Sequence, residues 1–301
     1  MAAGNPNTLI VLGNSPNSYY VGYGRRHFVE GMSPSFTEHA RTALNITMTQ
    51  WVSMSSSLDT WVDYNVASDQ FHFNADISPN IRDHLSGANG KCAAGFVSFP
   101  DSGEPGQFFV SGKTQGAWNC VLPDHYIQNL TKLQREEPNF DTEITGVLFG
   151  KGKTNIMLFR SGFIADFDGD VSSTDHPLYK ILAEFSDGWC IDRGSSLCFY
   201  DNRFYFLKFK RPGGDGSIKM RWNLPRTMTE RLEELKVMAQ DPTEHAAQVQ
   251  DDLAWLAIAQ RRMSGQMQAN NMLVNTMNHA GLSFHAAASG GVIVEREQRY
   301  Y

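Results

Sequence analysis

Residues Trp118-Asn-Cys-Val-Leu-Pro-Asp-His-Tyr-Ile-Gln-Asn-Leu130 join two periodicities across one proline. Before Pro123 the run is short, aromatic and β-branched, as a strand reads. After it, Tyr126, Leu130 and Leu133 fall at helical spacing. Proline in the first helical turn costs no hydrogen bond and presets the backbone angle. The same join recurs at Pro34, Pro79, Pro177 and Pro225, so that successive prolines lie 45, 44, 54 and 48 residues apart. Behind them sit Phe36, Ala40 and Leu44; Ile81 and Leu85; Leu178 and Leu182; and Met228, Leu232 and Leu235.

Working outward, three strand columns repeat between the helical stretches. The first runs Leu9 to Leu12, Trp51 to Met54, Gly95 to Phe99, Gly146 to Phe149 and Leu197 to Tyr200. The second is Tyr19 to Tyr23, Thr60 to Tyr64, Phe108 to Val110, Asn155 to Phe159 and Phe204 to Phe209. The third is His27 to Val29, Phe71 to Phe73, Trp118 to Val121, Phe163 to Phe167 and Ile218 to Trp222. Each unit therefore reads strand, turn, strand, turn, strand, short helix. A three-stranded ribbon of this size cannot bury both faces alone, so the units must stack. The expected fold is mainly β with short helices: a five-bladed β-propeller-like repeat domain over residues 8–236, whose closure protects most sheet edges. An open β/α repeat stack is the alternative.

Residues 237–301 read as a helical tail with a terminal strand. Leu253, Leu256, Ala257, Met263 and Met267 share a helical face suited to packing or to homo-oligomerisation, and Gly291-Val-Ile-Val-Glu295 reads as a strand. The chain has 301 residues, 41% of them hydrophobic, enough for a sizeable core. A net charge of −6 gives nucleic-acid binding no overall electrostatic support. No run of 18 apolar residues predicts a membrane helix. The opening Met1-Ala-Ala-Gly-Asn-Pro-Asn shows no secretory pattern, and Cys92, Cys120, Cys190 and Cys198 form no CxxC pair. Together these predict reduced thiols in a cytoplasmic protein.

Leu9-Ile-Val-Leu-Gly13 with Tyr19-Tyr-Val-Gly-Tyr23, and Trp222-Asn-Leu-Pro225 with Leu232 and Leu235, follow a recurring theme: ALG, turn, YFV, turn, W-x-LP, helix with spaced leucines. Trp118-Asn-Cys-Val-Leu-Pro123 is a second copy of its later part. On these residues the chain resembles fungal tandem-repeat proteins and, more loosely, propeller lectins of the tachylectin and tectonin type. The likeness covers about residues 8 to 236 and concerns architecture, and the tryptophan is replaced in three of the five units. The looser likeness to lectins implies a carbohydrate ligand; separately, the sequence leads us to expect no cofactor.

Few motifs carry chemistry. Gly150-Lys-Gly-Lys-Thr154 lacks the first glycine of a phosphate loop, since Val147 stands there, and it joins two strands. Asp166, Asp168 and Asp170 crowd one loop and are a weak calcium candidate that fails the EF-hand spacing. The nine histidines show no HxH or HExxH pattern and specify no metal site; His39, His84 and His125, on or beside the helices, read as solvated.

The units share an apolar framework and differ in polar decoration, which points to one unique site. The expected function is non-catalytic binding of a glycan or small molecule, with Tyr23, Trp61, Trp118 and Trp222 as candidate ligand-stacking residues. Two alternatives stand beside it. One is an oligomeric interaction scaffold. The other is an enzyme with an asymmetric pocket lined by Asp63, His72, Asp166 and Arg221.

Overall fold

The computed structural model describes residues 8–102, 104–113, 116–167, 174–213, 218–254, 257 and 261. The chain divides into two compact units, residues 1–249 and 250–301. Residues 237–249, assigned to the tail on sequence, thus belong to the first unit. In the second unit residues 250–254 are helical and Leu253 is exposed. The strand expected at Gly291 to Glu295, and Leu256, Met263 and Met267, lie outside the described residues.

The first unit is mainly β, built from five small antiparallel sheets with helices between them. Sheet one holds β1 (Thr8–Leu12), β2 (Tyr19–Tyr23) and β3 (Arg26–Glu30), followed by α1 (Pro34–Thr42). Sheet two holds β4 (Thr49–Met54), β5 (Trp61–Asn65) and β6 (Gln70–Phe73), followed by α2 (Pro79–Ser86). Sheet three holds β7 (Ala94–Ser98), β8 (Phe108–Gly112) and β9 (Trp118–Val121), then α3 (Asp124–Glu136) and the short α4 (Phe140–Glu143). Sheet four holds β10 (Ile144–Phe149), β11 (Asn155–Phe159) and β12 (Phe163–Asp166), followed by α5 (Tyr179–Glu184). In sheet five the first strand is split into β13 (Cys190–Ile191) and β14 (Ser196–Leu197). Both pieces pair with β15 (Tyr205–Lys210), which also pairs with β16 (Ile218–Asn223), and α6 (Arg226–Met238) follows.

In every sheet the third strand is the least buried. β1 and β2 are buried almost throughout, whereas β3 is exposed at both ends and half-buried between. Strands covered on both faces need continuous apolar runs, as in Leu9 to Leu12. The first strands adjoin one another in cyclic order: β1 lies against β4, β4 against β7, β7 against β10, β10 against β14, and β14 against β1. Gly146 permits one of these approaches, because a Cβ there would stand 2.6 Å from the Phe96 ring. A small cavity among the first strands measures about 40 Å³, room for little more than a water or two, and is lined by groups such as Val11, Ser53, Phe96, Leu148 and Leu197.

One helix fills each junction between consecutive sheets. Phe36 of α1 packs edge-on to both Tyr20 and Trp61, joining sheets one and two. α2 lies against β7, and His84 on it meets the Phe108 ring of sheet three. Tyr126 of α3 packs on Phe149 of sheet four. Phe185, just past α5, stacks on Phe209 of sheet five. Finally α6 packs on β2 and β3, where Met228, Leu232 and Leu235 share a core with Ile10, Tyr19 and Phe206. The strand-to-strand turns at one end are tied to neighbours as well. Asn14 Nδ2 donates to Ser56 O (3.0 Å), Gly152 N–H to Asp101 Oδ2 (2.9 Å) and Lys151 N–H to Asn202 Oδ1 (3.2 Å). Gly150 to Thr154 is therefore a hairpin turn locked to both sides.

Candidate functional site

Each helix except the one-turn α4 carries a side chain to the next sheet from one fixed place, the sixth residue after its N-cap. At α1 this is His39, at α2 His84, at α3 Asn129, at α5 Glu184 and at α6 Arg231. The contacts differ in kind. Asn129 Nδ2 donates to Asp166, Glu184 accepts from Arg221 at 2.8 Å, and Arg231 faces the Tyr19 hydroxyl. His84 is fully buried, its Nδ1 3.2 Å from the carbonyl of Cys92, and burial pushes its pKa down. The reading of His39 and His84 as solvated is thereby corrected. Both sit on the buried face of their helix, one turn from the apolar residues that anchor it.

His39 has the most distinctive partner. Its Nε2 lies 2.6 Å from Asp63 Oδ1, and His72 Nδ1 lies 3.1 Å from Asp63 Oδ2. Asp63 and His72 are direct cross-strand partners on β5 and β6, so both side chains rise from one face of the sheet, the face that α1 covers. The Asp63 side chain is 1% exposed, that of His39 10% and that of His72 33%. Trp61 stacks on the His39 ring at 4.6 Å, and its indole N–H donates to Ser35 Oγ on the same helix at 3.0 Å. Nearby, the Tyr20 hydroxyl is fully buried; burial, then the Asp63 charge, raises its pKa. One nitrogen of each imidazole and one oxygen of Asp63 lie within 4.8 Å of one another. No protein-family model, curated protein or solved structure matches this chain.

A second concavity, about 310 Å³ in volume, lies between the α3–α4 turn and the β11–β12 hairpin. Phe140, Phe159 and Phe163 contribute rings, while Glu137, Glu143 and Ser161 contribute polar groups at its wall. Phe140 and Phe159 are buried and Phe163 is half-buried. Glu143 accepts a hydrogen bond from Ser161 Oγ at 3.3 Å. This volume is at the lower end of what small-molecule sites show.

The structure brings together only some of the residues singled out from sequence. Asp63 and His72 meet; Asp166 and Arg221 stand on sheets four and five, engaged with Asn129 and Glu184. Asp166 is buried against α3, and Asp168 and Asp170 lie outside the described residues. The four aromatic candidates occupy four sheets. Tyr23 is half-buried at the end of β2, and Trp61 is core, 3% exposed. Trp118 stacks on Phe109 and donates to Asp141 Oδ1 at 2.8 Å. Trp222 is 39% exposed, with Lys236 Nζ 5.4 Å above its ring. His39 and the Phe163 concavity were missed. His39 falls three residues after Phe36, a spacing that already placed it on the apolar face.

Proposed function

We propose that the chain is a five-bladed β-propeller that binds a carbohydrate, or a small molecule equally rich in hydroxyls, at the concavity between α4 and the β11–β12 hairpin. The propeller reading is supported by the cyclic order of the first strands and by a helix at every junction, the one from the last sheet packing on the first. Four free thiols, two of them buried, accord with a reducing compartment such as the cytoplasm. Among the described residues no helix is long and apolar enough to cross a membrane.

The binding reading rests on one observation: a half-buried phenyl ring, Phe163, stands beside two carboxylates in a space of about 310 Å³. Sugars present an apolar face that packs on a ring and hydroxyls that donate to carboxylate oxygens. Glu137 and Glu143 supply such acceptors, and Phe140 and Phe159 form a rigid floor. The concavity lies at the junction of the third and fourth units, where the helical turn after sheet three meets sheet four, in keeping with units that share a framework and differ in polar groups.

A glycan array on the full chain, followed by calorimetry on the best ligand, tests this. Phe163→Ala and Glu143→Gln should each weaken that ligand by about tenfold or more, the worth of roughly 1.4 kcal/mol. Absence of any glycan binding, or affinity untouched by both substitutions, overturns it.

A further inference from the structure

The cluster at α1 belongs to neither the proposed sugar site nor the small cavity among the first strands. We propose that His39, Asp63 and His72 form a binding site for a divalent transition metal ion, zinc being the best chemical match.

The first reason is the donor set. Two imidazole nitrogens and one carboxylate oxygen are the ligands that zinc and its first-row neighbours prefer over calcium or magnesium. The second is burial. The Asp63 carboxylate is 1% exposed, and among the described residues its partners are the two imidazoles, with no lysine or arginine in contact. An anion removed from water needs a compensating charge, at a cost of several kcal/mol when it lacks one. A bound dication supplies that charge and leaves both imidazoles in the neutral form that ligates.

The third reason is how the atoms face each other. His39 Nε2 and Asp63 Oδ1 are 2.6 Å apart, yet neither makes a hydrogen bond of acceptable geometry. Two buried polar atoms thus converge without an aligned hydrogen bond between them, which is costly for polar groups in a core. Four-coordinate zinc with bonds near 2.0–2.2 Å sets neighbouring ligand atoms about 3.3 Å apart. The His39 and His72 nitrogens approach different oxygens of Asp63, at 2.6 and 3.1 Å, and the three donor atoms lie within 4.8 Å of one another, so side-chain rotations moving them by about 1–2 Å bring the set to that spacing.

The surroundings suit a ligand shell. Trp61 clamps the His39 ring, and its bond to Ser35 holds α1 in register with β5. Fixing the orientation of first ligands in this way is what outer groups do at metal centres. His72, the most exposed of the three, opens the site toward solvent, where water completes the coordination. Because His39 comes from α1 and the other two from sheet two, the ion would pin the helix to the sheet across the first junction.

The test uses full-length, tag-free protein stripped with chelator and titrated with cobalt(II) alone, then zinc(II) alone. One equivalent of cobalt should bind with the intense visible absorption of a four-coordinate complex, zinc should displace it, and zinc should raise Tm. His72→Ala, the change least disruptive to the core, should weaken binding on the order of 100-fold. His39→Ala should do the same, its fold checked by circular dichroism. His84→Ala, at the corresponding helix position of the next junction, should leave affinity unchanged. The proposal falls if wild-type protein shows no saturable binding, if His72→Ala binds as tightly as wild type, or if His84→Ala loses as much as His72→Ala.

Discussion

Two lysines share one carboxylate inside sheet five. Burial alone would raise the Asp192 carboxyl, but it is held below the usual range by the Lys210 ammonium at 2.7 Å, the Gly194 N–H at 2.9 Å and the charge of Lys208. Lys208 is itself buried, 7% exposed, and burial pulls its pKa down despite Asp192. A depressed carboxyl contributes stability that is present above its unfolded value, near 3.9, and is lost as pH falls through the folded value. A lowered ammonium acts at the other end: the unfolded chain holds its proton longer, so stability rises as pH climbs toward about 10.4. Asp192→Asn should therefore destabilise the protein by roughly 2–4 kcal/mol at pH 7 and reduce the acid loss of stability. Lys208→Met should be neutral or slightly stabilising, because a buried ion is often well replaced by an apolar chain of similar size, and it should remove the alkaline rise. Urea unfolding at acid, neutral and alkaline pH reads all four effects; equal losses in the two variants would contradict the argument. None of this was legible in the sequence, since Asp192, Gly194, Lys208 and Lys210 meet only once the first strand of sheet five has broken between β13 and β14. At the metal candidate more was visible. The strand columns already held Asp63 in the second strand of its unit and His72 in the third, and Phe36 and Ala40 marked the buried face of the helix; only His39, read as solvated, was misplaced.

At the scale of elements the strand pattern survives folding in all but one place, because each second strand is buried on both faces and needs an unbroken apolar run. The first strand predicted at Leu197 to Tyr200 is instead Cys190–Ile191 and Ser196–Leu197, with residues 198–200 outside any strand. β2 is Tyr19–Tyr23 and β11 is Asn155–Phe159, the limits the pattern predicts. The proline landmark is looser than its regular spacing suggests. Pro34 and Pro79 occupy the first helical turn, Pro123 and Pro225 stand at the N-cap itself, and Pro177 precedes the N-cap Leu178. The helices differ accordingly in how their first N–H groups are met. Ser33 Oγ accepts from Phe36 N–H and Ser78 Oγ from Ile81 N–H, whereas α3 and α6 have no side-chain cap. A proline cap offers no oxygen on its side chain, so those two helices depend on their packing. Ser78→Ala should cost about 1 kcal/mol, read from the urea midpoint at unchanged slope. Pro123→Ala should cost less, having no cap bond to lose; a larger loss there would show that the ring of proline, rather than the cap, fixes the helix start. The four-residue α4 escaped the sequence reading because one turn is too short to display a period.

For the whole molecule, the sequence announced that units must stack but not whether the stack returns to its beginning, which depends on contacts some two hundred residues apart. Leu232 on α6 shares a core with Ile10 and Tyr19 of sheet one, at the far end of the chain. Ile81 on α2 is its counterpart inside the chain, at the junction of sheets two and three. In an open stack these positions would behave differently: loosening the terminal junction frays one end locally, while loosening an inner one divides the stack. In a closed ring no junction is terminal, so either cavity opens the same cooperative unit. Leu232→Ala and Ile81→Ala should then each cost about 2–5 kcal/mol, with single coincident transitions by fluorescence and circular dichroism. Hydrogen exchange sharpens the distinction. Leu232→Ala should lower protection in β8 and β11, opposite the lesion, by as much as in β2. Loss confined to sheets one and five, with β8 and β11 unmoved, would mean that the fifth junction is a surface contact and that the repeats form an open stack.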